Sequence, residues 1–307
     1  MKSEQRGEQG GPVGRYGPGK EGRSAAGRGI VLSFHPTLPG DRFLWEQASL
    51  GPGEFDLIRQ ARAVLLPQTV SRQLYFLVRH NCRAVFPDYD LRFQWEGKVG
   101  DAMLFWSCGV PHPVTRVYPR VEALEQDHPL VGYSAGPLAY PCVIKANQGG
   151  EGRYTWLVRN SADLDRAVCR LKELELRGWF GFIVQEYVPG VERDLRVVVI
   201  GERVLSYWRV NPGFHKNVAR GGTIDPGQDP GLQALGRRRV ASLCRRTGIN
   251  LAGFDLIFAR GGREPLFLEI NYTFGRRGLG GTDGFQKILQ DEVCRWLERV
   301  SPAVNRD

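Results

Sequence analysis

The 307-residue chain has no apolar run near the roughly eighteen residues needed to cross a bilayer, which excludes a helical membrane span. Its six cysteines (Cys82, Cys108, Cys142, Cys169, Cys244 and Cys294) are scattered, with no CxxC pair and no zinc-site spacing. They read as reduced, mostly buried thiols of a cytoplasmic protein, not as a disulfide framework or a metal centre. No secretory signal precedes them, and no internal repeat points to a solenoid. Acidic residues are the scarcer charge, 33 against 42 Lys and Arg, for a net +9. Residues 1–28 hold six Lys or Arg against three Glu, a net +3 that leaves +6 for the rest. So modest an excess weakens the reading of a nucleic-acid partner and also suits a polyanionic nucleotide or an acidic substrate, and charge alone does not choose between them. The remainder is ordinary for a globular protein, 42% apolar and 24% charged, with length for two domains.

Residues 1–28 are rich in Gly and Arg and lack apolar periodicity, so a disordered tail is expected there. From Gly29 short apolar strands alternate with helical stretches: 29–34, 63–68, a helix over 71–80, then 83–88. That alternation predicts a small parallel α/β unit. A helix from Gly97 to Ser107 is closed by Gly109 and followed by Pro111 and Pro113. Strands are predicted at 141–146 and 154–158, then a helix capped by Ser161 and running to about Arg177. Further strands cover 181–188, 194–200 and 203–210, the last two a hairpin about Gly201-Glu202. Helices follow at about 231–247 and 284–300, flanking a hairpin of strands 253–259 and 265–271.

That last hairpin carries Asp255, Glu269 and Asn271 at the polar breaks of apolar runs. A buried carboxylate costs several kcal/mol unless a cation or donor compensates it, so the trio suits a hard divalent metal. Folding the hairpin about residue 261 sets Gly253 opposite Glu269 and Phe267 opposite Asp255, all three ligands sharing a face. The alternative is an edge hairpin with solvated acids.

Lys145 ends an apolar strand, and Gly149, Gly150 and Gly152 follow. Glycines let backbone N–H groups approach an anion while a lysine supplies a point charge. This is not a Walker A loop, because the lysine precedes the glycines, and a plain hairpin turn would also need Gly. Gln185, Glu186, Tyr187 and Val188 end a strand and run into Pro189-Gly190, as a connector between two lobes would. Asp194 and Arg196 share a strand face beyond it, where they would meet a ribose or form a surface ion pair.

The succession of Lys98 before GVPHPVT, Lys145 with its glycine loop, QEYV, RDLRVVVIG, KNVARGG, AGFDLI and LEIN resembles the ATP-grasp superfamily, and most closely RimK-like glutamate ligases. The likeness spans about Gly29 to Gly281. It implies an α/β chain of α+β lobes: an N-terminal parallel α/β (pre-ATP-grasp) domain over 29–110, then an ATP-grasp domain over 111–307. The small lobe of that domain would cover about 111–186 and the large lobe about 187–307. By the same resemblance Lys98 and Lys145 contact phosphates, and Gly149, Gly150 and Gly152 close over them. Gln185, Glu186, Tyr187 and Val188 form the adenine-binding hinge, and Asp194 binds ribose. Asp255, Glu269 and Asn271 hold two magnesium ions, with manganese an acceptable replacement. Arg196, Arg209, Asn217 and Arg220 face the phosphates or the acyl intermediate, and Arg209 or Arg220 is expected to stabilise the oxyanion.

The implied reaction is ATP-dependent joining of a carboxylate to an amine through an acyl phosphate, on small-molecule or peptide substrates, with an acidic polypeptide a further candidate. Phosphoryl transfer to a hydroxyl and a non-catalytic nucleotide-binding regulator are the alternatives. The chain departs from the family after LEIN, where Tyr272-Thr273-Phe274-Gly275-Arg276-Arg277-Gly278 replaces a small Ser-Pro-Gly run. Those two arginines would favour a substrate with extra carboxylates or form a solvated turn. The region before Lys98, with Phe93, Trp95 and Glu96, is also short for the family.

Overall fold

Two short strands, β1 (Val31–Ser33) and the wholly apolar β3 (Ala63–Leu65), are buried at every position. They run parallel, flanked by β2 (Arg42–Phe43) and β4 (Val85–Phe86) in the order β2-β1-β3-β4. Strands covered on both faces are expected to read as continuous apolar runs. Helices α1 (Pro52–Gln60) and α2 (Arg72–Asn81) connect them, and the Ser71 hydroxyl caps α2 by accepting from the Leu74 amide at 3.2 Å. The computed structural model describes residues 29–46, 49–127, 139–150, 152–211 and 222–300. The expected tail, Asn217 and Arg220 lie outside these.

Helices α3 (Asp90–Gln94) and α4 (Gly97–Cys108) lead out of the parallel unit. Gly109 ends α4 in the left-handed conformation, φ 58°. A second sheet follows, with β5 (Thr115–Tyr118), α5 (Val121–Asp127), β6 (Cys142–Ala146), β7 (Thr155–Val158), α6 (Ser161–Leu176) and β8 (Phe182–Glu186). Its strands are antiparallel in the order β5-β8-β6-β7, and its core joins Ile144, Val184 and Phe182 to Leu171 and Leu174 of α6. Asn160, not the expected Ser161, caps α6: it keeps an extended backbone and its Oδ1 accepts from the Asp163 amide at 2.9 Å, so Ser161 is already the first helical residue.

The third sheet has β9 (Arg193–Ile200), β10 (Arg203–Val210), β11 (Thr223–Asp225), β12 (Leu251–Phe258) and β13 (Pro265–Asn271), with α7 (Pro230–Thr247) before β12 and α8 (Gly281–Val300) at the end. The order is β11-β10-β9-β12-β13, antiparallel throughout. One face, with Leu195, Val197, Trp208 and Phe254, packs on Val240 and Leu243 of α7. The other changes character along its length. At one end Val198, Ile200 and Leu251 share a core with the parallel unit and α8. At the other end the same strands present Asp194, Arg196, Arg209 and Asp255. Strand alternation therefore builds a charged patch next to the parallel unit without interrupting the core behind it.

The β12–β13 register differs from the expected one. Asp255 lies opposite Glu269 and Gly253 opposite Asn271, whereas Leu256 pairs with Phe267. A bulge at Leu268 supplies the extra residue, and bulges re-aim side chains in this way. Phe267 consequently stays in the α7-side core, while Glu269 and Asn271 join Asp255 on the charged face.

Candidate active site

Asp255 is buried and already surrounded. Arg196 Nε donates to Oδ1 and Arg196 Nη2 to Oδ2 at 3.1 Å. Arg209 Nη2 lies 2.9 Å from Oδ2, and Asn271 Nδ2 donates to the same oxygen at 3.2 Å. Burial pushes the Asp255 carboxyl up, but the two guanidinium groups outweigh it and hold the group below the usual carboxylate range. Arg209 also grips Asp194, its Nε donating to Oδ1 at 2.7 Å and its Nη2 to Oδ2. Burial raises Asp194 despite that pull, whereas the two acids hold Arg209 more firmly protonated than usual.

This quartet bears on the expectations for its members. Asp194 and Arg196 are not a solvated surface pair: both are buried, Asp194 under Arg209 and Arg196 under Asp255. Arg209 holds two carboxylates, which leaves it poorly placed as an oxyanion donor. Oδ1 of Asp255 accepts a single bond among the described residues, which leaves it one unused lone pair.

Glu269, directly across the ladder, is different. It is half-buried, lines a cleft of about 540 Å3, and its carboxylate has no hydrogen-bond or ion-pair partner among the described residues. Asn271 lines the same cleft, and because its Nδ2 is turned to Asp255, its Oδ1 is available as an acceptor. Two acids and an amide oxygen suit a hard cation that takes its remaining ligands from phosphate and water. No cluster of three or more His, Cys, Asp or Glu exists among the described residues, in keeping with so sparse a donor set.

Lys98 lines the cleft from the start of α4, its Nζ donating to the Gly149 carbonyl at 2.9 Å. Asn147 sets that helix start, accepting the Lys98 amide at its carbonyl (3.2 Å) and the Val99 amide at Oδ1 (3.0 Å). Gly97 takes φ 72° there, and a Cβ would meet Asn147 Oδ1 at 2.3 Å, so a side chain is excluded. Gly149 and Gly150 are exposed in the cleft wall. Gly149 (φ 106°) and Gly152 (φ 69°) both adopt backbone that favours glycine.

Lys145 on β6 donates to Gln185 Oε1 at 2.7 Å, and Gln185 Nε2 donates to Thr115 Oγ1 at 2.9 Å. Gln185 is thus buried and supports the lysine. Burial lowers the Lys145 ammonium to about 8, with Glu269 and Asp255 partly restoring it against the repulsion of Lys98. These are the charges of the cleft, so Lys145 belongs to the same electrostatic site. Glu186 is exposed at the end of β8, accepting from the Val114 amide at 3.2 Å, and Tyr187 and Val188 begin the segment joining the second sheet to the third.

Across the third sheet's free edge, Asp101 of α4 accepts the Ile270 amide at 3.1 Å, between Glu269 and Asn271. Burial pushes its carboxyl well above the ordinary range. Sequence reasoning missed Asp101, although it stands one helical turn after Lys98 and so shares its face. Of the two arginines left between substrate binding and a solvated turn, Arg276 stacks 4.4 Å over Phe285 and Arg277 is exposed in a short 3-10 turn.

A family model described as the RimK-like ATP-grasp domain matches residues 100–291, more than half of the chain. The chain belongs to the RimK-like ATP-grasp family. Among similar proteins, a probable alpha-L-glutamate ligase of Xanthomonas oryzae pv. oryzae is 35% identical over 149 residues, 47% of each chain. Another, from Parasynechococcus marenigrum, is 27% identical over 185 residues, covering 56% of this chain and 37% of that one. The chain thus spans about half the length of the curated relatives it matches. A RimK-domain ATP-grasp structure from Sphaerobacter thermophilus superposes with a TM-score of 0.60 at 17% identity, covering 85% of this chain and 98% of that one. An L-amino acid ligase from Bacillus licheniformis gives 0.55 at 16%, covering 82% and 64%. At such identities the two structures speak for the ATP-grasp fold, in which the third sheet and the glycine segment face each other across the cleft. No helix among the described residues is long and apolar enough to cross a membrane.

Proposed function

We propose that the chain is an ATP- and magnesium-dependent ligase that activates a carboxylate as an acyl phosphate for attack by an amine. One observation carries this reading: the bare Glu269 carboxylate and the Asn271 oxygen share a 540 Å3 cleft with Lys98 and the glycine segment. Opposite charges left unmatched on two walls call for a ligand bearing both signs, as a metal–triphosphate does. The glutamate ligase relatives support the choice of a carboxylate–amine reaction.

In this reading the division of the chain at about 110 and 186 follows its function, the parallel unit and the two lobes each lending a wall. Lys98 and Lys145 neutralise phosphate oxygens, and Gly149, Gly150 and Gly152 bring backbone amides to them. Glu186, Tyr187 and Val188 take the base. Glu269, Asn271 Oδ1 and the free lone pair of Asp255 Oδ1 would hold magnesium or manganese, which when bound offsets charge on the transferred phosphoryl group. A substrate carboxylate oxygen attacks the γ-phosphorus as the bridging P–O bond breaks and ADP departs with the electron pair. The amine nitrogen then attacks the acyl carbon, phosphate leaves, and the nitrogen loses its proton to solvent. With Arg209 engaged by two acids, Arg220 is the remaining candidate for the oxyanion, with Asn217 beside it in sequence.

The test is ADP release with magnesium across amino acids and short peptides, with hydroxylamine added. Acyl hydroxamate from the parent and its loss in Glu269→Gln is the expected result. A stable phosphoester without hydroxamate, or normal turnover by Glu269→Gln, overturns the proposal.

A further inference from the structure

Arg92 lines the same cleft from the parallel unit's side. It sits on α3, half-buried, with its guanidinium 4.7 Å from the Tyr89 ring centroid, 4.9 Å from that of Phe93 and 5.9 Å from that of Tyr272. Its Nη1 donates to the Gln68 carbonyl at 2.6 Å, and Gln68 Nε2 donates in turn to the Tyr272 carbonyl at 3.0 Å. Three rings and a carbonyl therefore fix a planar cation one residue beyond Asn271. No carboxylate among the described residues pairs with it, whereas the buried Arg196 and Arg209 both have such partners. The fully buried Tyr89 hydroxyl beneath it also lacks a hydrogen-bond partner among the described residues.

We propose that Arg92 clamps a non-reacting carboxylate of the substrate and so sets the enzyme's specificity. Resting on the ligase reading, this follows from what each wall of the cleft presents. The carboxyl group to be activated must lie against the metal-bearing strand, near Glu269 and Lys98. A guanidinium fork held by aromatic faces on the neighbouring wall matches a second carboxylate in two parallel hydrogen bonds. Trp95, Phe93 and Tyr272 line the cleft beside it and suit the methylene body joining the two ends. The substrate class is a short molecule with a spare carboxylate: an amino acid contributing the amine, or a diacid contributing the acyl group.

Substrate and residue are varied together to test this. With the pair that supports ADP release, the spare carboxylate of each partner is replaced in turn by a carboxamide, against the parent, Arg92→Lys and Arg92→Met. Loss of a charged, fork-shaped contact should raise the KM of the parent for one amidated partner by about tenfold or more. Arg92→Met should show that rise with the natural substrate, keep the KM for ATP within about twofold, and lose almost nothing further on amidation. Whichever partner behaves so is the one gripped. Arg92→Lys, which keeps charge and bulk, should fall between and serves alone if Arg92→Met does not fold. Equal amidation penalties in parent and variant overturn the role of Arg92 and leave the ligase reading standing. A parent without carboxylate-dependent ADP release overturns both.

Discussion

Asp255 and Glu269 face each other across one rung of the β12–β13 ladder, yet their surroundings are opposite. Asp255 is enclosed by Arg196, Arg209 and Asn271, each contact built from the chain's own residues. Glu269 has a cleft in front of it and no partner among the described residues. The first carboxylate is compensated on folding by the chain's own cations, and the second is left without a counter-charge among the described residues. Charge at a site is therefore a poor guide to function unless the partner is also asked for. Arg209 and Arg92 repeat the contrast, one locked between two acids and the other held by rings and a carbonyl at the cleft with no carboxylate among the described residues.

That contrast can be broken from either side. Arg209→Met should cost the most stability, about 3–5 kcal/mol in urea unfolding, because it strands Asp194 as a buried carboxylate and leaves Asp255 with Arg196 as its one cation. An intact midpoint would mean that the quartet is not closed. Glu269→Gln should do the reverse, lowering ADP release by about 10²-fold, while the unfolding free energy moves by no more than about 0.5 kcal/mol. Asp101→Ala leaves the Ile270 amide without its acceptor and should cost about 1–3 kcal/mol, whereas Asp101→Asn retains an oxygen there and should cost less.

The smallest effect is a slope. Lys145 titrates near 8 in the folded chain, below the ordinary lysine value of 10.5, so the unfolded chain binds more protons between those limits. Stability should accordingly gain from this group as pH rises through that window, and Lys145→Met should flatten the gain in unfolding curves taken at several pH values. An unchanged slope would show that the ammonium is better solvated than its position beside Gln185 suggests.

The order of elements was legible because it rests on local signals. Apolar runs marked β1, β3, β6, β8 and β9, Ser71 and Gly109 bracketed their helices, and Gly201-Glu202 made the two-residue turn between β9 and β10. Short or mixed segments such as β2, α1 and β5 carried too little pattern to be read. Asn160 took the cap from Ser161 through one backbone rotation that no composition reveals. Within the site, the lysines, the glycines and the three oxygen-bearing residues were readable as types at a spacing. Their partners were not. Whether Asp255 meets a metal or Arg196, and whether Asp194 meets a ribose or Arg209, depends on cross-strand register. The bulge at Leu268 altered the pairing of β13 by a residue that alternation counting cannot anticipate. Arg92 meets Tyr272 only because the parallel unit packs against the third sheet, a contact between residues remote in the chain.

Asn147 has a mechanical consequence. Its amide donates to the Gly181 carbonyl at 2.9 Å while its own carbonyl and side chain tether the first turn of α4, so it is a post fixed on two sides. Beyond that post the strand pair is closed again by the Ala146 amide on the Tyr154 carbonyl at 3.0 Å. The Lys98 Nζ bond to the Gly149 carbonyl adds a second link from helix to glycine segment, so a displacement of either is transmitted to the other.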